Sequence, residues 1–119
     1  MTLHKVNIKP MSVNVAFQGR RFKTPKYSKY ERDVLLLLPK LDMPKPPYQV
    51  YLSFMFSSKL SDIDNPVKPF LDILQKKYSI NDKDIESLII YKQEVKKGFE
   101  SIKFDIKTYN RYEDFTKLV

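Results

Sequence analysis

From Tyr48 to Ser57 every second residue is apolar: Val50, Leu52, Phe54 and Phe56 alternate with Tyr51, Ser53, Met55 and Ser57. Successive side chains of an extended chain point to opposite faces, so this stretch demands a sheet with one face against a core. What covers that face must come from the same 119 residues, enough for one domain that buries a core but too few for separate binding and catalytic modules.

The cover is legible downstream. Asn65 followed by Pro66 is a strong helix start, and Val67, Phe70, Leu71, Leu74 and Tyr78 then share one stripe. Pro69 falls in or near the first turn, where a missing amide hydrogen costs little. A second amphipathic helix is expected from Ser28, whose hydroxyl would cap it, through Tyr30, Val34, Leu37 and Leu38 to Pro39. Lys40 to Pro47, with Pro44, Pro46 and Pro47, reads as a stiff connector.

Residues 3 to 9 fit a short strand, and Pro10 to Tyr27 reads as an exposed basic loop holding Arg20, Arg21, Lys23 and Lys26 without an acid. Asn81 to Asp84 forms an acidic turn. Residues 87 to 108 alternate about a turn at Lys96, Lys97 and Gly98, which predicts an antiparallel hairpin. The tail from Asn110 to Val119 reads as a short helix or a frayed end. The expected class is α+β: one domain over residues 1–119, a mixed sheet carrying two main helices and a C-terminal hairpin.

The chain has no cysteine and one histidine, His4. Thiolate metal sites, disulfides and cysteine nucleophiles are thereby excluded, a Ser-His nucleophile or a histidine-rich metal site has no support, and any catalysis is expected to fall to carboxylates. A net charge of +8 favours a polyanionic partner. Nucleic acid fits first. An anionic membrane fits less well, because no amphipathic helix carries a basic polar face. No apolar leader or membrane-spanning run is visible, so a cytoplasmic location is expected.

Against this basic background, five of the nine aspartates fall between residues 62 and 84: Asp62, Asp64, Asp72, Asp82 and Asp84. Asp62 and Asp64 are two apart, so an extended backbone would turn both carboxylates to one side. A helix folded back on the sheet would return Asp82 towards them. Converging carboxylates are hard oxygen ligands suited to Mg²⁺, with Mn²⁺ as a substitute, and such a metal serves phosphodiester hydrolysis. Lys68, four residues from both Asp64 and Asp72, is placed to bind a phosphate. A purely structural alternative stands beside this: Asp64 and Asn65 as helix caps, Lys68 and Asp72 as an ordinary ion pair, Asn81 and Asp82 as turn formers. An EF-hand loop is ruled out, since Val67 and Ile73 stand where its glycine and glutamate belong.

The run Asp62-Ile-Asp64-Asn65-Pro-Val-Lys68-Pro-Phe-Leu-Asp72, followed by Asn81-Asp82, resembles the signature of the RusA family of Holliday junction resolvases. The upstream Pro10-Met-Ser12-Val-Asn14 and the Arg20, Arg21, Lys26 region resemble that family's opening and basic loop. The resemblance runs roughly from Val6 to Thr108. It implies Asp62, Asp64 and Asp82 as catalytic magnesium ligands, Lys68 as a catalytic or phosphate-binding lysine, and Asn65 and Asp72 as supports. It further implies a homodimer that nicks opposite strands of a four-way DNA junction, in recombination and repair. Asn81 stands where the family often has a second acid, and Pro69 where it has an ordinary helix former.

Arg20, Arg21, Lys23, Lys26 and Lys29 are expected to track DNA phosphates, with Phe22 and Tyr27 available to stack on bases. Two rival readings remain open: a non-catalytic protein that grips branched DNA, and a nuclease for flaps or single strands.

Overall fold

The computed structural model describes residues 3–18, 22–58 and 62–110. Its sheet contains β1 (His4–Val6), β4 (Tyr48–Phe56), β5 (Ile85–Glu94) and β6 (Ser101–Thr108) in the spatial order β1-β6-β4-β5. A two-stranded ribbon, β2 (Phe17–Gln18) with β3 (Phe22–Lys23), stands apart. The helices are α1 (Val13–Ala16), α2 (Pro25–Leu37) and α3 (Val67–Tyr78), and a 3-10 turn spans Asp82–Asp84. This is the α+β class with a mixed sheet that the alternating and helical periods imply.

β4 lies inside the sheet, with a neighbour on either side. It runs antiparallel to β6, pairing Val50 with Ile106, Leu52 with Phe104 and Phe54 with Ile102, and parallel to β5, pairing Val50 with Leu88 and Leu52 with Ile90. Residues paired across a ladder point to the same face, so the even-numbered side chains of all three strands share one side. That side is the core: Val50, Leu52, Phe54, Ile102 and Phe104 are fully buried. Phe70 of α3 is set edge-on against Phe54, with ring centroids 6.1 Å apart, and against Phe104 at 5.9 Å.

The expected hairpin is corrected by this topology. β5 and β6 do follow one another through a turn at Gly98, but β4 lies between them and pairs with both. Alternation fixes which residues face the core and does not name the partner strand. β4 is the most apolar strand, so it gains most from a place with neighbours on either side. β5 is therefore an edge strand that begins beside the start of β4, with one extra residue, Glu86, at the Tyr48/Gln49 register shift.

The segment expected to be an exposed loop is also more ordered than its composition suggests. Ser12 caps α1 by accepting from the Asn14 amide. Thr24, not Ser28, caps α2: its hydroxyl accepts from the Tyr27 amide and donates to the Val15 carbonyl at 2.7 Å, with Pro25 at the first helical position. Starting α2 here turns Tyr27 into the core. It is fully buried, packs on Phe17 and Tyr30, and its hydroxyl donates to the Pro69 carbonyl of α3. Tyr27 therefore does not stack on DNA bases. The side chain of Phe22, and all of Arg20 and Arg21, lie outside the described residues.

Tyr30 is 4% exposed, and its hydroxyl oxygen has no hydrogen-bond partner among the described residues. Burial drives this phenol far above its ordinary range, with Tyr27 adding to the effect. Removing the hydroxyl removes an uncompensated desolvation, so Tyr30→Phe is expected to leave stability unchanged or raise it by about 1 kcal/mol. Chemical denaturation checks this, and a loss of that size would show that the hydroxyl is satisfied in solution.

Candidate active site

β4 ends at Phe56, and the acidic loop, resuming at Asp62, leads into α3. The loop bends at Ile63 and Asp64 instead of running extended, so the strand alternation expected to turn Asp62 and Asp64 to one side does not apply here. Three contacts hold it. The Asn65 side chain reaches Asp62 Oδ2 at 3.5 Å, the Asn65 carbonyl accepts from the Val13 amide at 2.9 Å, and the Asp64 carbonyl accepts from the Val67 amide at 3.1 Å. Asn65 thus ties the acidic loop to α1.

The cap position of α3 is filled by Pro66, with no side-chain hydrogen bond. Neither Asp64 nor Asn65 caps the helix, so the structural alternative for these two residues does not hold. Both Asp62 and Asp64 are exposed, and the Asp64 carboxylate has no partner among the described residues. Pro69 sits in the first turn, where its missing amide hydrogen would be unpaired in any case. Lys68 and Asp72 form an exposed pair at 3.3 Å on the same helix. Such a pair contributes only a few tenths of a kcal/mol, so a phosphate arriving near Lys68 competes easily with it.

A cavity of about 490 Å³ opens beside the end of β4. Phe56, Met11, Pro10 and Val15 give it an apolar floor, Ser12, Ser57 and Ser58 give hydroxyls, and Lys9 and Lys26 give charge. Lys26 is legible in the sequence as part of a basic segment; Lys9 is not, because its strand-end position carries no motif. Ser57 is held by its hydrogen bond to Glu100 at 2.9 Å. The Glu100 carboxyl is drawn below its ordinary range by its own backbone amide, by Ser57 and by the Gly98 amide.

Asp82 lies elsewhere. α3 has twelve residues, about 18 Å of helix, and it carries the chain from the end of β4 back to the start of β5, which pairs with the start of β4. Asp82 is therefore at the opposite end of α3 from Asp62 and Asp64, where Gln75 reaches it at 3.5 Å and Asn81 caps its turn. The expectation that α3 returns Asp82 to the other two acids within one chain is corrected: a helix that links the end of one strand to the start of a parallel neighbour delivers the chain to the far end of the sheet. No group of three or more His, Cys, Asp or Glu residues is placed to hold a metal among the described residues.

The basic segment divides in the same way. Lys23 is bound to Glu31 at 3.2 Å and lies over the Tyr27 ring, while Lys76 of α3 reaches the same carboxylate at 3.3 Å. Glu31 thereby clamps the ribbon, α2 and α3 together, and Lys23 is partly committed to structure. Lys26 and Lys29 are exposed, the latter paired with Asp33 at 3.0 Å.

No protein-family model matches this chain, and no curated protein matches it in sequence. No helix among the described residues is long and apolar enough to cross a membrane.

The clamp has a pH signature. Burial pushes the Glu31 carboxyl up, but hydrogen bonds from Lys23 and Lys76 outweigh it and hold the group below its ordinary 4.5. A depressed folded-state pKa contributes stability above the unfolded value, and that stability is lost as pH falls through the folded one. Glu31→Gln is expected to cost about 1 kcal/mol at neutral pH, with the difference from wild type closing below pH 4.5. Denaturation across that range is the check; a difference independent of pH would assign the loss to packing.

Proposed function

We propose that this chain is a Mg²⁺-dependent endodeoxyribonuclease of the RusA type, which acts as a cytoplasmic homodimer to nick opposite strands of four-way DNA junctions. The observation that carries the reading is the exposed pair Asp62 and Asp64, on a loop that caps nothing, one helical turn from Lys68 and at the same strand end as a lysine-flanked cleft. Acids left exposed inside a chain of charge +8 are what a cation-assisted reaction on a polyanion requires.

The donor set fits the metal. Mg²⁺ is usually held by one or two carboxylates together with substrate phosphate oxygens and waters, so Asp62 and Asp64 suffice as its protein ligands. When bound, it supplies charge neutralisation at the phosphate and a lowered pKa for the attacking water. The remaining work belongs to side chains. Lys68, released from Asp72, steadies the charge building on the phosphate; Asn65 fixes the loop; Lys26 and Lys9 hold the backbone of the strand being cut.

Asp82 enters this site only if a second copy supplies it. A two-fold axis that sets the strands of two protomers antiparallel brings the start of β5 in one to the end of β4 in the other, which makes dimerisation a requirement for a three-acid site. The separation of Asp82 within one chain equally favours the rival reading of a non-catalytic protein that grips branched DNA.

Incubating the protein with a labelled four-way junction, a flap and a linear duplex, with Mg²⁺ or EDTA, separates these readings. Paired nicks in the junction alone are expected, lost with EDTA and reduced at least about a hundredfold in Asp64→Asn. Junction binding without cleavage under Mg²⁺ or Mn²⁺ would leave the binding protein, and preferential cutting of the flap would leave a flap nuclease. The shared site has its own test: Asp64→Asn and Asp82→Asn, each inactive alone, are expected to regain nicking when mixed, because one site of the mixed dimer is intact. No recovery from verified mixed dimers would overturn the shared site, and nicking by Asp82→Asn alone would place Asp82 in no site.

A further inference from the structure

The helices cover one face of the sheet, and the register determines what the other presents. Residues paired with Tyr51 and Ser53 of β4 share the side away from the core: Asp105 and Lys103 on β6, Ile89 and Tyr91 on β5. Lys107 belongs to the same side, since its ammonium lies 5.4 Å from the centre of the Tyr51 ring. Lys5 of the edge strand β1 pairs with Lys103 and extends the row. None of these side chains is buried, and Tyr91 is 62% exposed. Among the described residues the face is therefore open over its middle, between the buried Gln49 at one end and the buried Met55 and Ser101 at the other, with aromatic rings on two adjacent strands and lysines on the two beyond.

We propose that this open face is a binding platform for single-stranded DNA, with Tyr51 and Tyr91 stacking on bases and Lys103, Lys107 and Lys5 following the phosphates. Tyr51 and Tyr91 are diagonal neighbours on adjacent parallel strands, their backbone positions roughly 8 Å apart from the strand spacing and a two-residue rise, within reach of bases of one strand. Aromatic side chains flanked by cations on an open sheet are the elements that hold unpaired nucleic acid without reading its sequence. Charge argues against the other occupant of such a face, a second copy of the chain. Within the four strands the face carries three lysines against one aspartate, so two copies set face to face would repel. The aspartate, Asp105, turns one carboxylate oxygen to the Ile106 amide at 2.9 Å. The Lys107 ammonium now over the Tyr51 ring marks a ring face that accepts a ligand; an arriving base takes that place and the ammonium moves to its phosphate.

The platform is on the far side of the sheet from α3 and Lys68, and it stands whether or not Asp62 and Asp64 catalyse. Its test is made in EDTA, where cleavage plays no part. Fluorescence anisotropy with a labelled oligothymidylate is expected to show binding that Tyr91→Ala weakens at least about fivefold and Tyr91→Phe restores. Because Tyr91 is exposed, the alanine variant tests contact and not folding, which circular dichroism confirms. Lys103→Gln combined with Lys107→Gln is expected to lower the slope of log affinity against log salt by about 0.7 for each phosphate that the variant no longer neutralises. Binding unchanged in Tyr91→Ala would overturn the proposal, as would tighter binding of oligouridylate than of the DNA. Failure to bind the oligothymidylate at all would overturn it too, leaving the reading of the acidic loop to its own junction assay.

Discussion

The packing of Phe70 across Phe54 and Phe104 joins α3 to the two strands that define the sheet. Removing an aromatic ring from such a position typically costs about 3–5 kcal/mol, but its geometric role matters as much. Once α3 lies on β4 and β6, the chain has left the end of β4, crossed the sheet and arrived at the start of β5. That crossing makes β4 and β5 parallel, opens β5 as an edge and separates the acids that precede the helix from those that follow it. Ser79 completes the turn at the helix end in a left-handed conformation, which a non-glycine residue adopts at some cost, and the Ile80 amide closes onto the Gln75 carbonyl.

Much of this was legible because periodicity reports burial directly. β4, the apolar stripe of α3 and the alternation of β6 could be read from spacing, since each side chain's environment follows from its own strand or helix. Strand partners could not. β5 and β6 are adjacent in sequence, antiparallel and joined by a short turn, which satisfies every local criterion for a hairpin, yet the most apolar strand lies between them. That outcome depends on competition among strands for the central place, which no window of sequence contains. The same ignorance of topology misplaced Asp82: helix length was readable, but the end of the sheet to which the helix returns was not.

The error in α2 has a local cause. Ser28 and Thr24 are both competent caps, and the hydroxyl at position 24 prevails because Pro25 follows it and because Val15 supplies an acceptor that also anchors α1. Moving the cap by four residues changes the meaning of Tyr27, from a ring offered to DNA to the buried link between α2 and α3. For the candidate site, the residue types are chosen from the sequence, and the structure supplies their grouping. Asp62, Asp64, Lys68 and Lys26 share one end of the molecule, whereas Lys23 is drawn into the Glu31 clamp and Lys9 joins through a strand end that carried no motif.

Both proposed surfaces follow from a sheet whose helices, among the described residues, lie on one face. The covered face needs a helix, the helix needs a loop at its start, and that loop carries its exposed acids at the strand end where the lysine-flanked cleft opens. The uncovered face needs polar or aromatic residues at odd-numbered positions of β4, β5 and β6 simply to stay in water, and here it combines lysines with tyrosines where neutral polar residues would have met that requirement. On the proposed reading, a branched DNA would offer both a duplex to be cut and strands that unpair near the branch. The sheet separates these by its own thickness, so the acidic loop and the tyrosine face can act on different parts of one substrate without competing for the same phosphates.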